Sequence, residues 1–337
     1  DINIHDDDDD GGKRITITDN ARGIALADFE RAFQVAVRPR SSSTSLNEFG
    51  MGMKTASFWF ANQWSMTTQF FGESVSRMMV FNLDEILEHK LSDIEPLVMP
   101  GSKNSHYTNV ELRDLNQLPV GRTLGKIRQY LASIYRRQLS EGLLILRVNG
   151  EALEFDAPAV LVAPYQKDLS EVQDTVVWKK DVLIELGGDK RVTGWVGLKE
   201  TVSAVNTGFA LFRRGRLIQG GPDDPYSPEE ICASRNKHQF LRLFGELDVQ
   251  GFGVTHTKDA INWGDLESEF IGNLKLQLQT GDYDFLYQAI HYRVNSANKK
   301  ALEALIEKVD VPIDHIEQLI QDVALSARTH GSEAVPD

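Results

Sequence analysis

Thr18-Asp19-Asn20-Ala21-Arg22-Gly23-Ile24 follows directly on an alternating stretch, and further along Phe49-Gly50-Met51-Gly52-Met53-Lys54 opens an apolar one. Ahead of the first, Ile15 and Ile17 alternate with Arg14, Thr16 and Thr18. A period of two marks a strand with one buried face, so Asp19 stands at a strand end and Gly23 in the turn beyond it. The second stretch carries Gly-x-Gly-x-Lys at a helix start. Glycines let backbone amides approach an anion closely, and a helix N-terminus adds partial positive charge. Lys54 adds a point charge. The Gly-x-x-x-x-Gly-Lys-Ser/Thr spacing of a Walker loop is absent. The strand context and acidic ribose partner of a Rossmann fingerprint are absent too.

Outward from these loops the chain reads as an α+β protein. Residues 2–4 and 13–18 are strands joined through His5, five aspartates (Asp6 to Asp10), Gly11 and Gly12. Asp and Gly suit a solvated hairpin tip better than a metal site, because clustered like charges repel. Residues 25–37 read as a helix with Phe29 and Phe33 one turn apart. Residues 38–47 are polar, with an unbroken Ser/Thr run from Ser41 to Ser45, and read as a mobile loop. The spacing predicts a helix from Gly50 to about Trp64, then strands over 65–71 and 75–83. Residues 123–139 form an amphipathic helix, with Leu124, Ile127, Leu131, Ile134 and Tyr135 on one stripe. A strand over 143–148 ends in the turn pair Asn149-Gly150.

Beyond it come strands near 160–162, 175–178 and 182–186, and a hairpin over 208–218 turning at Arg214-Gly215. Residues 228–270 are mixed. The pattern turns helical from Leu266; residues 299–327 read as helix with a break at Pro312, and 331–337 as a frayed tail. These breaks divide the chain into 1–152, 153–265 and a helical extension over 266–337.

Composition bounds the function. The chain has 337 residues, 41% hydrophobic and 25% charged, with a net charge of −13. That balance excludes a general nucleic-acid coat, which needs many cations against phosphate. Arg136, Arg137, Arg213, Arg214 and Arg216 are the basic residues that could still touch DNA locally. The single cysteine, Cys232, excludes an internal disulfide, fits a reducing cytoplasmic interior and reads as a small apolar filler. No apolar run is long enough to span a membrane.

Together the two loops resemble the GHKL ATPases: gyrase B subunits, mismatch-repair MutL proteins, histidine kinases, ninety-kilodalton heat-shock chaperones and MORC proteins. In that family an Asp-x-Gly-x-Gly loop follows a strand, and its Asp accepts a hydrogen bond from the adenine amino group. Asp19 matches that Asp and Gly23 the second glycine; Ala21 stands where the first glycine is usual. Phe49, Gly50, Met51, Gly52, Met53 and Lys54 match the phosphate loop, and residues 38–47 match the lid that closes over the nucleotide. In His106-Tyr107-Thr108-Asn109-Val110-Glu111-Leu112, Thr108 matches the family threonine that supports the adenine-binding Asp, with Tyr107 in place of a glycine. Val254-Thr255-His256-Thr257-Lys258-Asp259 resembles the Thr-His-x-Lys loop of MORC-type transducer domains. The hairpin over 208–218 resembles the one preceding that loop.

The resemblance covers roughly residues 1–265. It implies a two-layer α/β sandwich (the Bergerat fold) over 1–152, an α/β transducer over 153–265, and the helical segment beyond. It implies ATP and Mg²⁺ as ligands, Lys258 as the γ-phosphate sensor, and ATP-dependent homodimerisation. The closest likeness is to MORC-like prokaryotic ATP-binding proteins, which points to a DNA-linked or defence role. A chaperone acting on protein clients, a histidine-kinase-like protein and a catalytically dead scaffold are the alternatives. The family's general-base Glu and Mg²⁺-binding Asn lie on a helix ahead of the first strands. Here that helix is expected upstream of Asp1, and Glu48 suits the lid rather than the base. The chain opens without Met on an alternating strand, so an upstream segment is expected.

Overall fold

A computed structural model describes residues 1–6, 12–33, 52–89, 95–168, 174–255 and 259–293. β1 (Ile2–His5) and β2 (Arg14–Asp19) form the expected antiparallel hairpin, with Ile2 opposite Ile17 and Ile4 opposite Ile15. α1 (Leu26–Phe33), α2 (Gly52–Phe60), β3 (Ala61–Gln69), β4 (Val75–Asn82), α3 (Leu83–His89), β5 (Leu97–Pro100) and β6 (Tyr107–Leu115) follow. α4 (Gly121–Ile134), α5 (Arg136–Ser140), β7 (Arg147–Val148) and β8 (Glu151–Ala152) complete the first half. The strands make one sheet in the order β5-β4-β3-β6-β2-β1-β7-β8. In this sheet, among the described residues, β1 and β7 alone pair parallel.

Register turns the sequence pattern into rows. Side chains directly opposite on neighbouring strands share a face. Ile15, Leu112, Trp64 and Phe81 form one row across β2, β6, β3 and β4. Ile17, Val110, Met66 and Met79 form the next, and Asp19, Thr108, Thr68 and Arg77 the third. The first two rows are apolar and the third is polar. Phe33 of α1 with Met53 and Phe58 of α2 covers the apolar rows, and Trp64 and Met66 are each 1% exposed. The opposite face is polar, as alternation requires. There Glu111 pairs with Arg113 at 2.9 Å and Arg14 at 3.7 Å.

Two readings of this half are corrected. The helix expected through Trp64 stops at Phe60, and Ala61–Gln69 is strand. The aromatic run Phe58-Trp59-Phe60 suits either period, and pairing with β4 and β6 decides it. The strand expected over 143–148 is reduced to Arg147–Val148. The amides of Leu143 and Leu144 bond the Gln138 carbonyl instead, finishing α5, so Leu143 and Ile145 stay outside the ladder and exposed.

The second half contains β9 (Val162–Pro164), β10 (Thr175–Val177), β11 (Lys179–Glu185), β12 (Arg191–Leu198), β13 (Gly208–Arg213) and β14 (Arg216–Gln219). α6 (Glu229–Cys232), α7 (His238–Arg242) and β15 (Leu243–Gln250) follow, then α8 (Glu267–Gln279) and α9 (Phe285–His291) after a short hairpin. The main sheet runs β11-β12-β15-β13-β14, with β13 and β15 parallel. The β13–β14 hairpin turns at Arg214 (φ 52) and Gly215 (φ 75), the two positive values that a primed two-residue turn requires. α8 covers the β11 edge through Gln277 Nε2, which donates to the Leu183 carbonyl at 2.6 Å. Buried Cys232 has its thiol pushed up to about 12 by burial, as an apolar filler does. Both sheets lie in one unit, Asp1–Ile290. The expected helix over 299–327, the tail, the loop over 38–47 and Asp7 to Gly11 lie outside the described residues. Among the described residues no helix is long and apolar enough to cross a membrane.

Candidate nucleotide-binding site

The polar row lies at the end of β2 where the chain leaves the sheet. Asp19 is exposed, and its Oδ1 accepts the Ala21 amide at 2.9 Å, an Asx turn that starts the loop to α1. Ala21 does not adopt a positive φ, so the methyl group in place of the family's first glycine causes no backbone strain. Gly23 does, at φ +75, and a Cβ there would lie 2.0 Å from the Gln69 carbonyl oxygen of β3. That position therefore excludes every side chain, both by conformation and by contact.

The loop is tied to the sheet at three further points. The Phe71 amide donates to the Arg22 carbonyl at 3.0 Å, His106 Nδ1 lies 3.0 Å from the Ala21 carbonyl, and the Ile24 amide donates to Thr68 Oγ1 at 2.9 Å. Thr108 stands directly opposite Asp19 on one side and Thr68 on the other. Thr68 is the residue that sequence reading missed. Its signal was a threonine in register with Met66 and Trp64, a polar group in an apolar series.

α1 leaves this loop with a charged contact at each end. Glu73 Oε1 accepts the Leu26 amide at 3.1 Å while Glu73 Oε2 pairs with Arg77. Burial pushes the Glu73 carboxyl up, but the Leu26 amide and the bond and charge of Arg77 outweigh it and hold the group below its ordinary value. At the other end Lys54 Nζ donates to the Ala32 carbonyl at 2.8 Å, and burial lowers the ammonium's pKa. A carboxylate at the start and a cation at the end both match the helix dipole.

Of the expected site residues, the structure brings Asp19, Gly23 and Thr108 together. Gly52 and Met53 open α2, Gly52 with open space around its Cα and Met53 packed into the core below the row. Lys54 is directed at α1. Phe49, Gly50, Met51 and Lys258 lie outside the described residues. The stem of the Lys258 loop is described: Thr255 Oγ1 donates to Asp259 Oδ1 at 2.7 Å, and the Ala260 amide donates back to Thr255 Oγ1 at 3.3 Å. Among the described residues no group of three or more His, Cys, Asp or Glu stands ready for a metal ion.

Arg136 and Arg137 are not a nucleic-acid surface. Arg137 bridges Glu246 (3.0 Å) and Asp248 (2.9 Å) on β15 and stacks 3.6 Å above Phe212. Arg136 is 8% exposed, bonds Ser133 and lies over Phe155. Their charges join α5 to the second sheet.

Residues 1–111 match the model of the family described as histidine kinase-, DNA gyrase B-, and HSP90-like ATPase. The match runs from β1 into β6, about a third of the chain, and the architecture there is mixed α/β. Among curated proteins no relative matches this chain. Among solved structures it is similar to the ATPase region of Saccharomyces cerevisiae topoisomerase II, at 11% identity over 86% of this chain and 77% of that one, TM-score 0.45. It is also similar to the ATPase and transducer domains of DNA topoisomerase II from Balamuthia mandrillaris, at 15% identity over 77% and 70%, TM-score 0.43.

Proposed function

We propose that this chain is the ATP-binding and switching part of a conformational ATPase. The observation that carries the proposal is the polar row at the end of β2: Asp19 in register with Thr108, beside a loop whose Gly23 rests on the β3 backbone. A carboxylate at a strand end accepts the adenine amino group, and a site built to take that donor rejects bases lacking it. In this reading the phosphates lie at the start of α2, where Gly52 leaves open space and Lys54 adds charge, with Phe49, Gly50, Met51 and Met53 completing the phosphate motif by resemblance. Mg²⁺ supplies neutralisation of the phosphate charge.

Lys258 supplies the switch. A cation that reaches the γ-phosphate contacts ATP and not ADP, and only such differential contact can shift a conformational equilibrium. Its loop belongs to the half that Arg137 ties to α5, so docking of Lys258 on the nucleotide, with closure of the lid over 38–47, couples the two halves and favours a dimer. Hydrolysis of the bound ATP resets the switch. The MORC-like hairpin and loop support a DNA-linked or defence role, with Arg213, Arg214 and Arg216 at the hairpin as the basic residues that remain for it.

Comparing ATP and ADP affinities of the wild-type chain and Lys258→Ala tests the switch. The wild type should prefer ATP, and the variant should lose that preference. Equal preference in both would remove Lys258 from the mechanism.

A further inference from the structure

We infer that Thr68 sets the base specificity of the proposed ATP site by fixing which way the Thr108 hydroxyl points. The inference rests on the reading of Asp19 as the adenine acceptor. Thr68 is fully buried at the third position of the polar row. Its Oγ1 has three neighbours: the Ile24 amide at 2.9 Å, the Tyr107 carbonyl at 3.1 Å and Thr108 Oγ1 at 3.2 Å.

A hydroxyl has one proton and two lone pairs. The Ile24 amide is only a donor and takes one lone pair. The Tyr107 carbonyl is only an acceptor and takes the proton. The remaining lone pair is left for the proton of Thr108. This is the arrangement that satisfies all four groups, and buried polar groups are satisfied. Thr68 is then saturated, and Thr108 donates away from Asp19.

The consequence lies in what the row offers a ligand. With its proton directed to Thr68, Thr108 presents lone pairs on the Asp19 side. The Asp19 carboxylate is an acceptor as well. An end wall of acceptors suits an exocyclic amino group and repels the carbonyl oxygen that hypoxanthine and guanine carry at the same position. Neither Asp19 nor Thr108 can secure this alone, because a free Thr108 hydroxyl could rotate and donate to that carbonyl. Thr68 is thus a positioning residue that acts through Thr108. The same hydroxyl anchors the Ile24 amide, so the loop bearing Asp19 and Gly23 and the threonine facing it share one tether.

The test compares ATP with inosine triphosphate, which differs at the amino position, in titrations of the wild type, Thr68→Val and Thr68→Ser. Valine keeps the shape and removes the hydroxyl; serine keeps the hydroxyl. The wild type should prefer ATP. In Thr68→Val the ATP-to-inosine ratio should shrink roughly tenfold, the scale of one hydrogen bond to a buried group, and Thr68→Ser should retain the wild-type ratio. An unchanged ratio in Thr68→Val, including equal weakening of both nucleotides, overturns the inference and leaves the ATP site standing. Collapse of the ratio in Thr68→Ser overturns it too, since serine keeps the hydroxyl. A wild type that binds neither nucleotide overturns the ATP reading itself, and the inference with it.

Discussion

The Lys54 ammonium lies 2.8 Å from the Ala32 carbonyl oxygen, so the first turn of α2 closes the last turn of α1. Sequence reading assigns Lys54 to phosphate, and its resting partner is a helix end. Lys54→Met keeps the aliphatic stem and leaves the Ala32 carbonyl without that donor. It should cost about 0.5–1.5 kcal/mol, the net contribution of one part-buried hydrogen bond. Urea unfolding measures this; unchanged stability would mean that the contact contributes nothing.

Gly23→Ala should be worse. It combines a positive φ with a Cβ 2.0 Å from the Gln69 carbonyl oxygen, so the loop must lift off β3. The expected loss is at least ~2 kcal/mol, from backbone strain and overpacking together. Ala21→Gly, in the same loop, should leave the fold intact, and the pair of variants read by thermal melting separates the two glycine positions of the motif.

The α5–β15 junction is testable by a double-mutant cycle. Arg137→Met removes the partner of Asp248 and leaves Glu246 to Arg136 alone among its described ion pairs, at 3.6 Å. It should cost roughly 2–4 kcal/mol, while Glu246→Gln in that background should cost less than it does alone. Additive losses would show that the pair is not coupled. Arg137→Lys should rescue poorly, since an ammonium cannot bridge two carboxylates and stack at once.

Lys199 gives a pH signature. It is 2% exposed, its ammonium donates to the Ser203 and Val205 carbonyls, and burial with nearby Arg242 lowers its pKa to about 8. Between pH 8 and the ordinary value of 10.5, the unfolded chain holds a proton there that the folded chain has released. Stability from this residue therefore rises with pH in that window, by up to about 1.4 kcal/mol per pH unit. Urea unfolding at several pH values should show the wild type gaining on Lys199→Met as pH rises from 8. Parallel curves would contradict this.

How much of this was legible depended on whether a residue's role is local. The β1–β2 hairpin, Gly23 and the Arg214-Gly215 turn follow from alternation and from turn chemistry carried by neighbouring residues. Asp19 and Thr108 were legible through resemblance, and register sets them opposite each other. Thr68 was not, because its meaning depends on which strands flank β3. The stretch from Ala61 to Trp64 was misread because its apolar spacing fits two periods and only the ladder chooses. Arg136 and Arg137 looked like a surface patch because a cation at a helix end gives no sign of the carboxylates that β15 brings to it from far along the chain.

The central claim stands on Asp19. Calorimetric titration of ATP with Mg²⁺ into the wild-type chain and into Asp19→Asn tests it most directly. The account predicts saturable binding by the wild type and a loss of about a hundredfold in the variant. That loss corresponds to about 2.7 kcal/mol, within the range for a hydrogen bond to a charged group. Equal binding by both proteins, or none by the wild type, would contradict it.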